Sequence, residues 1–225
     1  MYTEKNTGEH VQIGSGRSGQ ILSDVLNFDT SGSMTELGFV PGESKKDTVC
    51  NAALEFLGVK RAQRPQDVVA LIGYDTTAHV YCDFAEVGSQ FVKLVSAIEE
   101  IRNCAPGSTR LVTGLKQARR IINNRIENLI HSGDDQEHAF RVIAYSDGHD
   151  FETTKGIREA DAIKNSDILI ETLGIAPARH EVDEGFLREV ATTDSTGFTH
   201  YRFLGDAESI RDTFKSVATG TLVIE

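Results

Sequence analysis

Residues 22–34 read LSDVLNFDTSGSM. Leu22 to Phe28 is a short apolar run ending in Asp29, which predicts a buried strand. Oxygen-bearing side chains follow it. Asp29, Ser31 and Ser33 stand two residues apart, and Gly32 lets the backbone turn sharply. Two hydroxyls and a carboxylate are hard donors, suited to Mg²⁺ or Mn²⁺ and poorly suited to zinc. A Ser-rich turn capping the next helix would have the same composition, so the choice between cap and cation site falls to the rest of the chain.

Outward from this stretch, apolar runs alternate with helical periodicity. Ser44 to Lys60 places Val49, Ala53, Phe56 and Leu57 on one helical face. VVALIGY at 68–74 is a central strand, and Ala78 to Phe84 follows closely enough to pair with it antiparallel. Helices are expected over Val87 to Ile101 and from Leu111 through Leu129, on either side of the breaker Ala105-Pro106-Gly107-Ser108-Thr109. Ala139 to Tyr145, Asp167 to Ile175 and His200 to Leu204 read as strands. Thr153 to Asn165, Asp183 to Ala191 and Asp206 to Ala218 read as helices. The alternation predicts an α/β fold, a doubly wound, Rossmann-like and mostly parallel six-stranded sheet. One antiparallel edge strand completes it, and helices cover both faces.

The chain has 225 residues, enough for roughly one and a half average domains, so a single large domain is expected. Residues 1–20 form a polar arm in which His10 to Ile13 is strand-like. Residues 21–220 form the domain, and 221–225 a tail in which Thr221 to Ile224 is strand-like, so that the two ends could pair. A formal net charge of −11 argues against nucleic acid or anionic lipid as the main partner, and no Lys/Arg run marks a local exception. No stretch is apolar enough for a membrane span, and the N-terminal residues lack the apolar core of a signal peptide. Cys50, Cys82 and Cys104 form no metal-ligand spacing, which fits buried thiols in a reducing, cytoplasmic setting.

Two further places supply oxygen donors. Thr109 closes the loop before the helix that starts near Leu111, and Asp147 follows the strand ending at Tyr145 or Ser146, with Gly148 permitting a turn. Doubly wound sheets bind ligands outside the carboxyl ends of their strands. Asp29, Ser31, Ser33, Thr109 and Asp147 are therefore expected to converge. FDTSGSM, the Thr of PGSTRL and the Asp of AYSDG resemble the three parts of the metal-ion-dependent adhesion site of von Willebrand factor A (VWA) domains, in order, over residues 22–218. The resemblance implies a VWA domain over 21–220, with five parallel strands and one antiparallel edge strand. It implies an intact site in which Ser31, Ser33 and Thr109 bind the cation directly while Asp29 and Asp147 act mostly through waters. Neutral hydroxyl ligands leave a dication with charge to spend on an incoming carboxylate.

Two positions depart from the family pattern. Arg110 stands where Asn is common, close enough to pair with Asp147 or with an acidic ligand. Asn27 stands where the strand is usually aliphatic, and a hydrogen bond inside the sheet is expected for it. Gly14 to Gly19 spells GxGxxG but precedes the first core strand, so a flexible arm is expected rather than a phosphate cradle. His149 and Asp150 are expected as exposed rim residues beside Asp147.

No general base, nucleophile or phosphate cradle accompanies the donors in the sequence. The expectation is a non-enzymatic, cytoplasmic adaptor or scaffold that captures an Asp or Glu of a partner protein through Mg²⁺ or Mn²⁺. The resemblance, closest to stand-alone intracellular prokaryotic members, adds a MoxR-type AAA+ ATPase or a stress or conflict system as its setting. Two other readings stay open. One is a Mg²⁺-dependent hydrolase of phosphate esters assisted by His149 or Asp150. The other is a structural interaction domain with a vestigial site.

Overall fold

Every residue from Ile21 to Asp29 is buried, as are all those from Val68 to Tyr74, because both strands lie inside a sheet covered on its two faces. The computed structural model describes residues 11–12, 19–147 and 150–222. In chain order they form β1 (Val11–Gln12), β2 (Ile21–Asp29), α1 (Lys45–Gln63), β3 (Val68–Tyr74), β4 (Ala78–Glu86), α2 (Phe91–Asn103), α3 (Leu111–Ser132), β5 (His138–Ser146), α4 (Thr153–Lys164), β6 (Leu169–Ile175), α5 (Glu184–Val190), β7 (Tyr201–Leu204), α6 (Ala207–Thr219) and β8 (Thr221–Leu222).

The main sheet has the order β4-β3-β2-β5-β6-β7. β3 and β4 are antiparallel and all the other neighbours are parallel, giving the mostly parallel, doubly wound six-stranded sheet. Period-two alternation along β2 splits the core. Leu26 and Phe28 pack on the side of α1, α2 and α6, while Val25 packs on the side of α3, α4 and α5. From β2 the chain runs first to β3 on one side and returns later through β5 on the other. The carboxyl ends of β2 and β5 therefore flank the switch point.

Local chemistry sets the helix ends. Ser44 and Asp47 form a reciprocal capping box at the start of α1, and left-handed Gly133 ends α3. Helix α2 starts at Phe91, not at Val87 as the apolar spacing predicts. The intervening residues are held in a turn: Val87 N–H donates to Asp67 O at 2.9 Å and Gly88 N–H to Pro65 O at 2.8 Å. β1 pairs antiparallel with β8, Val11 opposite Leu222 and Gln12 opposite Thr221. The remaining strand-like terminal residues, and the GxGxxG run apart from Gly19, lie outside the described residues.

Charged residues are also buried, at the amino ends of the strands. Arg141 on β5 donates to Asp24 on β2 at 2.8 and 3.1 Å and to Glu171 on β6 at 3.1 Å. Lys60 reaches Asp24 at 2.8 Å and Asp67 at 2.5 Å. Each ion there is paired, which is the condition under which a core tolerates charge. Of the cysteines, Cys50 and Cys82 are buried and Cys104 is only half-buried. Among the described residues no helix is long and apolar enough to cross a membrane.

Candidate functional site

The segment after β2 folds back on itself. Ser31 N–H donates to Asp29 Oδ1 at 2.9 Å, and the Ser31 and Ser33 hydroxyls lie 3.2 Å apart. Gly32–Thr35 is a single 3₁₀ turn, anchored by the buried Met34 side chain. Thr30 holds the segment to the neighbouring strand, its N–H and Oγ1 donating to Tyr74 O at 2.8 and 3.0 Å.

The Thr109 loop is fastened to this turn. Gly32 N–H donates to Gly107 O at 3.0 Å, and Ser31 bridges Gly107 in parallel. A Cβ at 107 would sit 2.7 Å from the Asp75 carboxyl group, so a larger residue there would have to displace Asp75. Lys46 Nζ donates to Cys104 O at 3.0 Å, fixing the other end of the loop to α1. Thr109 itself is buried. Asp75, on the opposite flank, accepts from Thr77 N–H at 2.9 Å.

Asp147 arrives from β5. Its neighbour Ser146 donates from Oγ to Asp29 Oδ2 at 2.7 Å, joining the ends of two adjacent strands. Asp29 and Asp147 are 2% and 1% exposed, so two carboxylates share a nearly dry edge. Burial, assisted by the Asp147 charge, pushes the Asp29 carboxyl up to about 7 against the hydrogen bonds from Ser146 and Ser31. Asp147 Oδ1 is buried without a hydrogen-bond partner. The structure thus places all five expected donors on one edge. Hydrogen bonds connect Asp29 with Ser31 and Ser31 with Ser33, while the backbone brings in Thr109 and Asp147.

Several side chains differ from expectation. The cation beside Asp147 is Lys45, whose Nζ lies 3.8 Å from Asp147 Oδ2 and 3.7 Å from Glu36 Oε2; Arg110 leaves its buried Nε without a partner. Lys45 left one signal in the sequence. A lysine in the first turn of a helix opposes the macrodipole unless a carboxylate answers it. Asp150 is half-buried rather than an exposed rim residue. It accepts from Glu152 N–H at 2.6 Å and from Leu111 N–H, tying the segment after β5 to the start of α3. His149 lies outside the described residues. Asn27 has no hydrogen-bond partner at either amide atom, because it faces α3 at Gly114 rather than a polar neighbour.

Among the described residues no three His, Cys, Asp or Glu side chains gather as a cation site. The expected donors are two carboxylates and three hydroxyl side chains, hard ligands of the kind that suits Mg²⁺ or Mn²⁺. The orphaned Asp147 oxygen fits such an ion as well.

A sequence profile described as the von Willebrand factor type A domain matches residues 25–150. The chain belongs to the VWA family. Solved structures agree on the fold. The pilus adhesin SpaC from Lactobacillus rhamnosus GG superposes with a TM-score of 0.70 at 14% identity over 88% of this chain, which spans only 30% of SpaC. An aerotolerance-related membrane protein from Bacteroides fragilis gives 0.64 at 14% identity, covering 88% of this chain and 98% of that one. The manganese-loaded TRAP protein of Plasmodium vivax gives 0.63 at 15% identity, covering 97% and 78%. No curated protein was found to match the sequence. VWA domains are a family of protein-interaction modules, and many bind a divalent metal.

Proposed function

We propose that this VWA domain is a divalent-cation-dependent binding module that captures an Asp or Glu side chain of a partner protein. The observation that carries this reading is the buried, unpartnered Oδ1 of Asp147 at the edge where Asp29 and the Ser31–Ser33 hydroxyl pair meet. An unpartnered buried carboxylate oxygen is costly, and a cation offsets that cost. Ser31, Ser33 and Thr109 would hold Mg²⁺ or Mn²⁺, with Asp29 and Asp147 supporting it. The bound ion would supply electrostatic attraction for an incoming carboxylate.

The protein's own groups do the rest. Ser146 and the Ser31 N–H orient Asp29, Lys45 balances part of the Asp147 charge, and Gly107 lets the Thr109 loop approach. We read the module as a non-enzymatic, cytoplasmic adaptor with an intact adhesion site, of the stand-alone intracellular prokaryotic type. A MoxR-type AAA+ ATPase or a stress or conflict system is the setting suggested by family analogy. The manganese carried by the similar TRAP protein supports the choice of ion.

The test is capture of partner proteins on immobilised chain in Mg²⁺, in EDTA and with Asp29→Ala. Capture confined to the Mg²⁺ sample supports the proposal, and capture that persists in EDTA overturns it.

A further inference from the structure

We propose that the cleft along the outer edge of β7 binds an acidic, extended segment of a partner protein, which adds to the sheet as one more strand. β7 ends the strand order, and among the described residues no strand pairs with its outer side. His200 O accepts from Thr172 N–H on β6, so by parallel-ladder alternation Phe203 turns its N–H and C=O outward and Tyr201 its C=O, the Tyr201 N–H being held by Thr199 O at 2.7 Å. Such an edge is a template for strand addition.

A cleft of about 530 Å³ lies beside it, lined by Arg179, Arg188, Arg202, Tyr201, Phe203 and, from α6, Asp212. The sequence shows no basic run here because the arginines come from three separate elements that only the fold assembles. Two of them are held in place. Arg179 stacks over Phe203 at 4.7 Å and Arg188 over Tyr201 at 4.6 Å, and both reach Glu184, at 3.0 and 3.7 Å. Their side chains remain 63% and 53% exposed. A stacked guanidinium keeps its in-plane donors for carboxylates.

Charge selects the occupant. In a chain of net charge −11, Arg179 and Arg188 share the one carboxylate of Glu184 here, and Asp212 has the ammonium of Lys215 3.9 Å away. β7 is only four residues long and offers few main-chain bonds, so acidic side chains on the added strand must contribute much of the affinity.

The test is fluorescence anisotropy with a labelled peptide of alternating Glu and Val, in EDTA so that no cation site contributes. Saturable binding is expected, absent for the Lys–Val counterpart and weakened by salt. The double variant Arg179→Glu/Arg188→Glu should lower affinity about tenfold or more. Of two Glu–Val probes N-methylated on odd or on even residues, one should lose binding, since it has the same charge but lacks the N–H groups facing β7. Failure of the Glu–Val peptide to bind, equal binding of all N-methylated probes, or indifference to the arginine substitutions overturns the proposal. So does displacement of the peptide by ATP, which would assign the cleft to a nucleotide.

Discussion

Ser146 and Asp29 form a hydrogen bond of 2.7 Å between the ends of β5 and β2, and through it the two strands that flank the switch point share one carboxylate. Ser146→Ala deletes that donor while leaving every expected cation ligand in place. Mn²⁺ affinity, read by calorimetry, is expected to fall several-fold as Asp29 loses its orientation. Stability without metal should change by about 1 kcal/mol, the net worth of an ordinary hydrogen bond. Unchanged Mn²⁺ affinity would show that Asp29 is not held by this contact.

Metal itself should stabilise the fold. A cation that binds only the native state adds about 2.7 kcal/mol when present at about a hundred times its dissociation constant. Thermal unfolding in Mg²⁺ or Mn²⁺ is therefore expected several degrees above that in EDTA. Asp29→Ala and Thr109→Ala should remain folded and lose the difference, because both lie at the carboxyl edge of the sheet. Phosphate-ester turnover that disappears with Asp29→Ala would point instead to the hydrolase reading.

Gly114 on α3 lies against Asn27 on β2. A Cβ at 114 would fall 2.6 Å from Asn27 Oδ1, 2.7 Å from Nδ2 and 2.8 Å from the Tyr74 ring. Gly114→Ala should destabilise the protein by about 2 kcal/mol, in the range for overpacking a core. In an Asn27→Ala background the part of that cost due to the amide should disappear while the Tyr74 contact remains, which a double-mutant cycle in urea would detect.

Acid should weaken the opposite end of the sheet. Burial alone would raise the Asp24 carboxyl, but Arg141 and Lys60 outweigh it and hold the group down to about 2. A carboxylate with a lowered folded-state pKa stabilises fully above its ordinary value of 3.8 and loses that contribution as the pH falls through about 2. The amount is about 2 kcal/mol. Asp24→Asn should be clearly destabilised near neutrality, since it leaves Arg141 and Lys60 buried and under-paired. The gap from the parent, measured by urea unfolding, should narrow as the pH is taken down through that window.

Much of the framework was legible because it depends on local pattern. VVALIGY and LSDVLNF read as interior strands, and the alternation of strand with helix implied a parallel sheet at whose carboxyl edge the loops of Asp29 and Asp147 can meet. What escaped depends on contacts distant in sequence. Helix α2 starts later than the apolar spacing predicts because Asp67 and Pro65, distant in sequence, hold residues 87–88 in a turn. The partner of Asp147 proved to be Lys45 rather than Arg110, since the turn geometry and not chain proximity sets that pairing. Asn27 was expected to find a hydrogen bond, yet a glycine faces it across the core. Asp150 became a fastening for α3 because its carboxyl spans two backbone N–H groups on different elements.

The antiparallel contact of Val11 with Leu222 also has a practical use. Gly220, beside β8, packs on Leu22 at the amino end of β2, and the strand's nine residues carry it about 26 Å to Asp29. Residues 11–12 and 221–222 therefore lie side by side at the edge remote from the oxygen donors. A surface tether attached at this edge would leave those donors pointing into solution.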